Sequence, residues 1–412
     1  MKKIILVSFA ILFFGNIGIA QKIDKSEFFE YEPGFYQNFI LKDVSDVNKR
    51  IEKKTVRKYF AMDHSGLDLP NKVSLYNTEW ANPVISQGNA GTCWAFSTIS
   101  FMESEVKRIT NKEVKLSEIY TVYCEYIEKA RGYVASRGES AFSEGSEGNA
   151  VSRMFNKYGA MPQSAYSGLL LNRKYHTHAA MYDEMYNYLK SIKATNAWNE
   201  EIVVATIKDI MNHYIGMPPS DFMVDGKKYT PKSYLKNYLQ INPNDYVEIL
   251  SYKQEPYWEQ VEYKVPDNWW HSKEYYNVPL DVFMKIVKES IRKSYTMSIG
   301  GDVSEAGFSR ETQVALVPNF DIPSNYINED SRQFRFSNKT TTDDHGMHLV
   351  GYYEKDGTDW YLIKDSSSGS RNNDKNAPEF GYYFFHEDYV KLKIMGFTIH
   401  KDAVKDILKK FK

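Results

Sequence analysis

The chain has 412 residues, 42% of them hydrophobic, enough to bury a large core and, by the usual length of a domain, about two domains' worth of material. Lys plus Arg number 52 and Asp plus Glu 53, a balance of -1 that offers no overall attraction to nucleic acid or to an anionic membrane surface. No repeat of fixed period is present, which argues against solenoids and propellers.

Met1-Lys2-Lys3, the apolar run IILVSFAILFF and the small-residue stretch GNIGIAQ follow the order of a secretory leader over residues 1–20, with cleavage expected after Ala20. The apolar run is about half of the ~20 residues a spanning helix needs, so no stable membrane anchor is expected. No cysteine near Ala20 offers the usual lipid attachment. The mature chain is therefore expected to be extracytoplasmic, periplasmic or secreted, where disulfides form. Its two cysteines, Cys93 and Cys124, either make one bridge or keep at least one reactive thiol.

Residues 21–79 are polar with scattered aromatics and read as an N-terminal extension wrapping a main body over residues 80–412. After Pro83, Trp94, Phe96, Ile99, Phe101, Met102 and Val106 recur at helical spacing, which puts Cys93 in the first turn of a helix. LSEIYTVYCEYIEKARGYV predicts a second helix with Ser117 as N-cap and Cys124 half-buried in its middle. GNAVSRMFNKYGAMP predicts a third, ended by Gly159 with Pro162 beyond. A mostly helical region is expected over about 172–294, including NEEIVVATIKDIMNHYIG and PLDVFMKIVKESIRKS. MSIGGDV, HGMHLVGYYE, DWYLIKDS and GYYFFHEDYV then read as short strands. Helices first and an antiparallel sheet later make the class α+β.

A thiol at a helix N-terminus has its thiolate stabilised by unpaired N–H groups and the helix dipole, which makes Cys93 a candidate nucleophile. Such a nucleophile needs an imidazole to hold the thiolate and later protonate the leaving amine, together with donors for the oxyanion. Gln87, six residues before Cys93, can reach over the turn GNAGT, and the Cys93 N–H is a second donor. His176 and His178 in HTH have no accompanying carboxylate or thiol ligand set, so they read as surface residues. No metal and no cofactor is expected, and no phosphate loop or nucleic-acid motif stands out.

QGNAGTCWAFS resembles the active-site stretch of the papain-like cysteine peptidases, family C1, DHGMHLVGYYE their histidine strand, and WYLIKDS the strand of their orienting amide. KLSEIYTVYCEYIEKARGYV, EGSEGNAVSRMFNKYGAMPQSAY, IMNHYIGMPPSDF and MSIGGDVS are similar to the bleomycin hydrolase and bacterial aminopeptidase C branch. The resemblance spans residues 25–405. It implies a two-lobed papain-like fold, a helical lobe plus an antiparallel β-barrel-like lobe, with the N-terminal extension and the helical insertion. It also implies a homo-hexamer as the assembly.

Carried over position by position, the resemblance makes Cys93 the nucleophile, Gln87 the oxyanion donor and His345 the general base and acid. Asp365 stands where the family has its orienting Asn, and Ser367 where an aromatic shields the pair. An aspartate still accepts the imidazole N–H, and its charge should raise the histidine's pKa and the pH optimum. Gly145 and Ser146 fall where the family binds substrate main chain, with Ser in place of a second glycine and its hydroxyl expected to narrow the cleft. Trp94 joins them as a substrate-binding residue. His348 should point away from His345, as a packed or solvent-facing strand residue. Cys124 matches a family disulfide cysteine, but its partner position is Ala90, so that bridge is excluded.

The resemblance implies an exported peptidase acting on peptide or protein substrates. The branch's longer C-terminal arm, which restricts cutting to free N-termini, has no counterpart beyond DILKKFK, so relaxed exopeptidase restriction is expected. Two rival readings are a catalytically impaired papain-fold protein serving as a peptide-binding or structural assembly, and a transglutaminase-like acyl-transfer enzyme, which also uses Cys-His-Asp.

Overall fold

Apolar residues at helical spacing build the first layer. The computed structural model describes residues 24–44, 58–170, 173–366 and 374–411; the predicted leader and Ser367 lie outside them. Strands β1 (Ser26–Glu30) and β2 (Lys58–Met62) pair antiparallel, with α1 (Leu41–Val44) between them in the chain and β3 (Asn77–Thr78) beyond. The predicted helices follow as α2 (Cys93–Thr110), α3 (Glu118–Ala135) and α4 (Asn149–Tyr158). Ser117 caps α3 by accepting the Tyr120 N–H at 3.0 Å, and α4 stops at Gly159. Cys124 is not half-buried but 3% exposed, because α3 runs through the middle of the helical core.

Residues 173–294 hold α5 (Ala179–Thr195), α6 (Glu200–Ile215), a small hairpin of β4 (Phe222–Val224) and β5 (Lys227–Tyr229), α7 (Pro231–Ser233) and α8 (Leu280–Ile291). Between α7 and α8 lie β6 (Tyr246–Leu250), β7 (Gln260–Val261) and β8 (Tyr275–Asn277), which belong to the main sheet. The chain then supplies β9 (Met297–Gly301), β10 (Val314–Ala315), α9 (Glu329–Ser337), β11 (His345–Lys355), β12 (Thr358–Lys364), β13 (Tyr382–His386), α10 (Glu387–Lys393), β14 (Ile394–His400) and α11 (Lys405–Leu408). GYYFFHEDYV is thus strand for its first half only. His386 Nδ1 accepts the Asp388 N–H at 3.1 Å, and Glu387 and Asp388 favour the start of α10.

Among the described residues ten strands form one sheet in the order β10-β13-β12-β11-β9-β14-β6-β8-β7, with β3 on β11. β10–β13 and β6–β8 run parallel, so the sheet is mixed rather than antiparallel. Among the described residues the barrel-like lobe does not close, because the path is open: after β6 the chain crosses to the outer edge as β7 and returns antiparallel as β8. One apolar core joins α2 to α6, and a second lies on the sheet around α8, β9 and β11. The cores meet where α2 crosses β11, and this seam brings the ends of both elements together.

Arg332 of α9, 2% exposed, pins that helix to the sheet. Its guanidinium donates to the carbonyls of Ser251 at 3.1 Å, Lys391 at 2.9 Å, Met395 at 3.1 Å and Ile394. Methionine there would fill the space and orphan four acceptors. Arg332→Met is therefore expected to cost about 3–5 kcal/mol, read from the urea midpoint at unchanged slope.

Candidate active site

Cys93 is the first residue of α2, where backbone N–H groups have no intrahelical acceptor, and it is partly exposed. His345 opens β11 and Asp365 follows β12, its antiparallel neighbour in the sheet. His345 Nε2 lies 2.5 Å from Asp365 Oδ1, and the Cys93 thiol interacts with the imidazole closely enough to raise it. Burial alone would depress the imidazole. The Asp365 charge, with the bond to Asp365 and the Cys93 thiol, more than reverses this and raises it to about 10. The structure thus brings together Cys93, His345 and Asp365. Both cysteines are free, so the Cys93–Cys124 bridge does not form.

The high imidazole pKa gives a signed prediction. In a thiol peptidase the competent thiolate–imidazolium pair is lost when the imidazolium deprotonates, and that step sets the alkaline limb of the rate profile. Asp365→Asn keeps an acceptor but removes the charge, so the limb of kcat/KM should move to lower pH by about 1–3 units. A limb that stays in place would mean Asp365 does not tune the imidazole.

Gln87 is 8% exposed and fixed at three atoms. Its N–H donates to the Ser366 carbonyl at 2.9 Å, Oε1 accepts the Ser366 hydroxyl at 2.8 Å, and Nε2 donates to the Ala90 carbonyl at 2.8 Å. The side-chain amide has two hydrogens, so the second remains for an oxyanion beside the Cys93 N–H. The loop is equally constrained. Gly88 has φ 71°, and a Cβ there would lie 2.2 Å from the His176 carbonyl oxygen. Asn89 N–H donates to that oxygen at 2.8 Å.

His176 and His178 are therefore not surface residues, being 8% and 0% exposed, because their segment backs the loop that carries Gln87. Burial pushes both imidazoles down, to about 4 and about 3. Among the described residues no group of three or more His, Cys, Asp or Glu is placed to hold a metal ion.

Gly145 has no room for a side chain, since a Cβ would sit 2.2 Å from Asp267 Oδ2, and its carbonyl accepts from the buried Lys129. Ser146 does not narrow the cleft: its hydroxyl turns inward to Glu125 Oε1 at 2.8 Å. Trp94 is 3% exposed, and its indole N–H donates to the Glu144 carbonyl at 3.1 Å. It ties the Glu144–Ser146 segment to α2 and lines the neighbouring pocket. Glu144 also accepts the Gly91 N–H at 2.6 Å through Oε2, so one residue holds both rims.

His348 is fully buried and faces α2. Lys364 Nζ donates to Ser100 Oγ at 2.8 Å, and Ser100 Oγ is hydrogen-bonded to His348 Nδ1 at 2.9 Å. Burial and then the Lys364 charge keep His348 neutral. This relay fastens the end of β12, and so Asp365, to the helix that starts at Cys93. Ser366, Glu144 and the Lys364 relay escaped the sequence reading, for they act through contacts between distant segments; only the adjacency of Lys364 and Ser366 to Asp365 hinted at them.

A thiol at a helix N-terminus, an imidazole–carboxylate pair and a fixed amide donor on a papain-like fold define a cysteine-type peptidase. The chain belongs to the Peptidase C1-like family, whose sequence model matches residues 35–412. Aminopeptidase C of Lactococcus lactis subsp. cremoris is 22% identical over 367 residues, 79% of this chain and 82% of that one. Aminopeptidase C of Listeria innocua is 24% identical over 264 residues, 54% of this chain and 59% of that one. The crystal structure of PepW from Lactobacillus rhamnosis HN001 superposes with a TM-score of 0.65 at 17% identity, covering 83% of this chain and 88% of that chain. Together they support the bleomycin hydrolase and aminopeptidase C branch.

Proposed function

We propose that the chain is an exported thiol peptidase working by a Cys-His-Asp mechanism, with an active-site cleft open to internal peptide bonds. The carrying observation is His345 held between Cys93 and Asp365. Cys93 Sγ attacks the substrate carbonyl, and its oxygen takes the charge between Gln87 Nε2 and the Cys93 N–H. His345 gives its proton to the leaving amine, and a thioester remains. His345 then takes a proton from water, which displaces the thiol and releases the acid.

Among the described residues, those after Thr398 do not line the pocket beside Cys93. Phe411 stacks edge-on against Tyr276 at 4.8 Å and lies 5.7 Å from Trp258, and neither ring lines the pocket beside Cys93. Export rests on the leader-like start and assembly as a homo-hexamer on the family resemblance. The test compares one peptide with a free N-terminus and its N-acetylated twin, with reductant and a Cys93→Ala control. Cleavage of both is expected. Cleavage of the free form alone would leave an aminopeptidase, and no Cys93-dependent cleavage across a broad peptide pool would overturn the peptidase reading.

A further inference from the structure

One end of the pocket beside the catalytic pair is lined by Cys93 and His345, so whatever fills it sits next to the scissile bond. The space between its walls, counted out to the solvent at its mouth, is about 580 Å³. Its wall carries the carboxyl groups of Glu147, Glu248, Asp267, Asp343 and Asp344, with no Lys or Arg among the lining residues.

These carboxyls are unequally satisfied. Glu248 accepts the Thr398 hydroxyl at 2.8 and 3.0 Å. Asp344 accepts from Ser304 Oγ at 2.6 Å and the Val303 N–H at 3.1 Å. Asp267 faces the charge of Lys129. Glu147 and Asp343 bond each other, and Glu147 Oε1 has no hydrogen-bond partner. Tyr263, 3% exposed and lining the same pocket, has a hydroxyl without a partner as well. Unpartnered buried acceptors are costly, and burial pushes both Glu147 and Asp343 up, helped by the Asp343 charge at Glu147 and by the Asp267 and Asp344 charges at Asp343, so that the pair keeps a proton. The charges opposing a bound cation are the His345 imidazolium, Lys129 behind Asp267 and the positive end of α4 next to Gly148. With one proton held by Glu147 and Asp343 the five carboxyls carry up to four negative charges, one of them on Glu248, which burial raises to about 7, and they still outnumber these positive groups.

We propose that this pocket selects substrates that place an organic cation in it, the ammonium or guanidinium of a Lys or Arg side chain or the peptide's own terminal ammonium. The cation displaces the proton shared by Glu147 and Asp343 and gives both carboxylates and the Tyr263 hydroxyl oxygen a donor. The inference rests on the peptidase reading and adds its specificity.

The test uses N-acetylated peptides with Lys, norleucine or Glu at each of the two positions on the amino side of the cleaved bond, and an unblocked norleucine peptide. At one position kcat/KM for Lys should exceed norleucine by roughly tenfold to a hundredfold, with Glu slowest. The Glu147→Gln/Asp343→Asn double variant should bring the Lys-to-norleucine ratio near one. If instead the unblocked norleucine peptide outruns its acetylated twin and the variant loses that advantage, the terminal ammonium is the cation. Norleucine matching Lys while blocked and unblocked peptides are cut alike, or a preference that survives in the variant, would overturn the proposal. Should the variant fail to fold, n-butylguanidinium must protect Cys93 of the unaltered chain from iodoacetamide better than n-butanol does, and equal protection sinks the idea. Protection by n-butylguanidinium in a chain that cuts no peptide would overturn the peptidase reading and leave the cation pocket standing.

Discussion

Cys93→Ala is expected to lower kcat/KM for peptide hydrolysis by about 10⁴-fold or more, and His345→Ala by a comparable factor. The two groups act as one device. In the proposed mechanism the thiolate is the nucleophile, and the imidazolium that stabilises it is the acid that releases the amine. Once either is gone the other has nothing to act on, so the double variant should lose little beyond a single one. Both side chains sit at the first residue of an element, Cys93 at the start of α2 and His345 at the start of β11, so truncation leaves the helix and strand cores intact. Initial rates with enzyme concentration fixed by absorbance decide the matter, with circular dichroism confirming the fold. A Cys93→Ala protein retaining more than about a hundredth of the rate would rule out the thiol as nucleophile.

Gln87→Ala should cost about 10²–10³ in kcat with KM little changed, since in the proposed mechanism the amide meets a charge that exists only after attack. Part of any loss could come from the loop, because Gln87 is bonded to Ser366 and Ala90. Ser366→Ala separates the two effects: it removes the bond to Gln87 Oε1 but leaves the donor in place. A loss in Ser366→Ala as large as in Gln87→Ala would assign Gln87 to loop structure rather than to the oxyanion.

The legible parts of the molecule were those written over a few consecutive residues. Helix spacing from Trp94 to Val106, the Ser117 cap and the stop at Gly159 all appear as predicted, and the motifs around Cys93 and His345 point to the family shown by its sequence model. Strand direction was not legible, since β10 and β6 meet parallel partners across long chain separations. Burial was misjudged for Cys124, His176 and His178 because a residue flanked by polar neighbours looks exposed until another segment is laid over it. The pocket carboxyls show the same limit. Asp343 and Asp344 immediately precede His345, but Glu147 and Glu248 come from α4's approach and from β6, and only the fold assembles them.

Cys93 belongs to the layer built on the helical core and His345 to the layer built on the sheet, and the two cores are separate. The Cys93–His345 pair therefore works as a gauge of alignment between layers, as a pin and its hole report whether two plates are in register. A slip too small to melt any helix or strand parts the sulfur from the imidazole. On slow heating, peptide cleavage should fail at a lower temperature than the far-ultraviolet circular dichroism, because it reads the seam rather than the elements on either side.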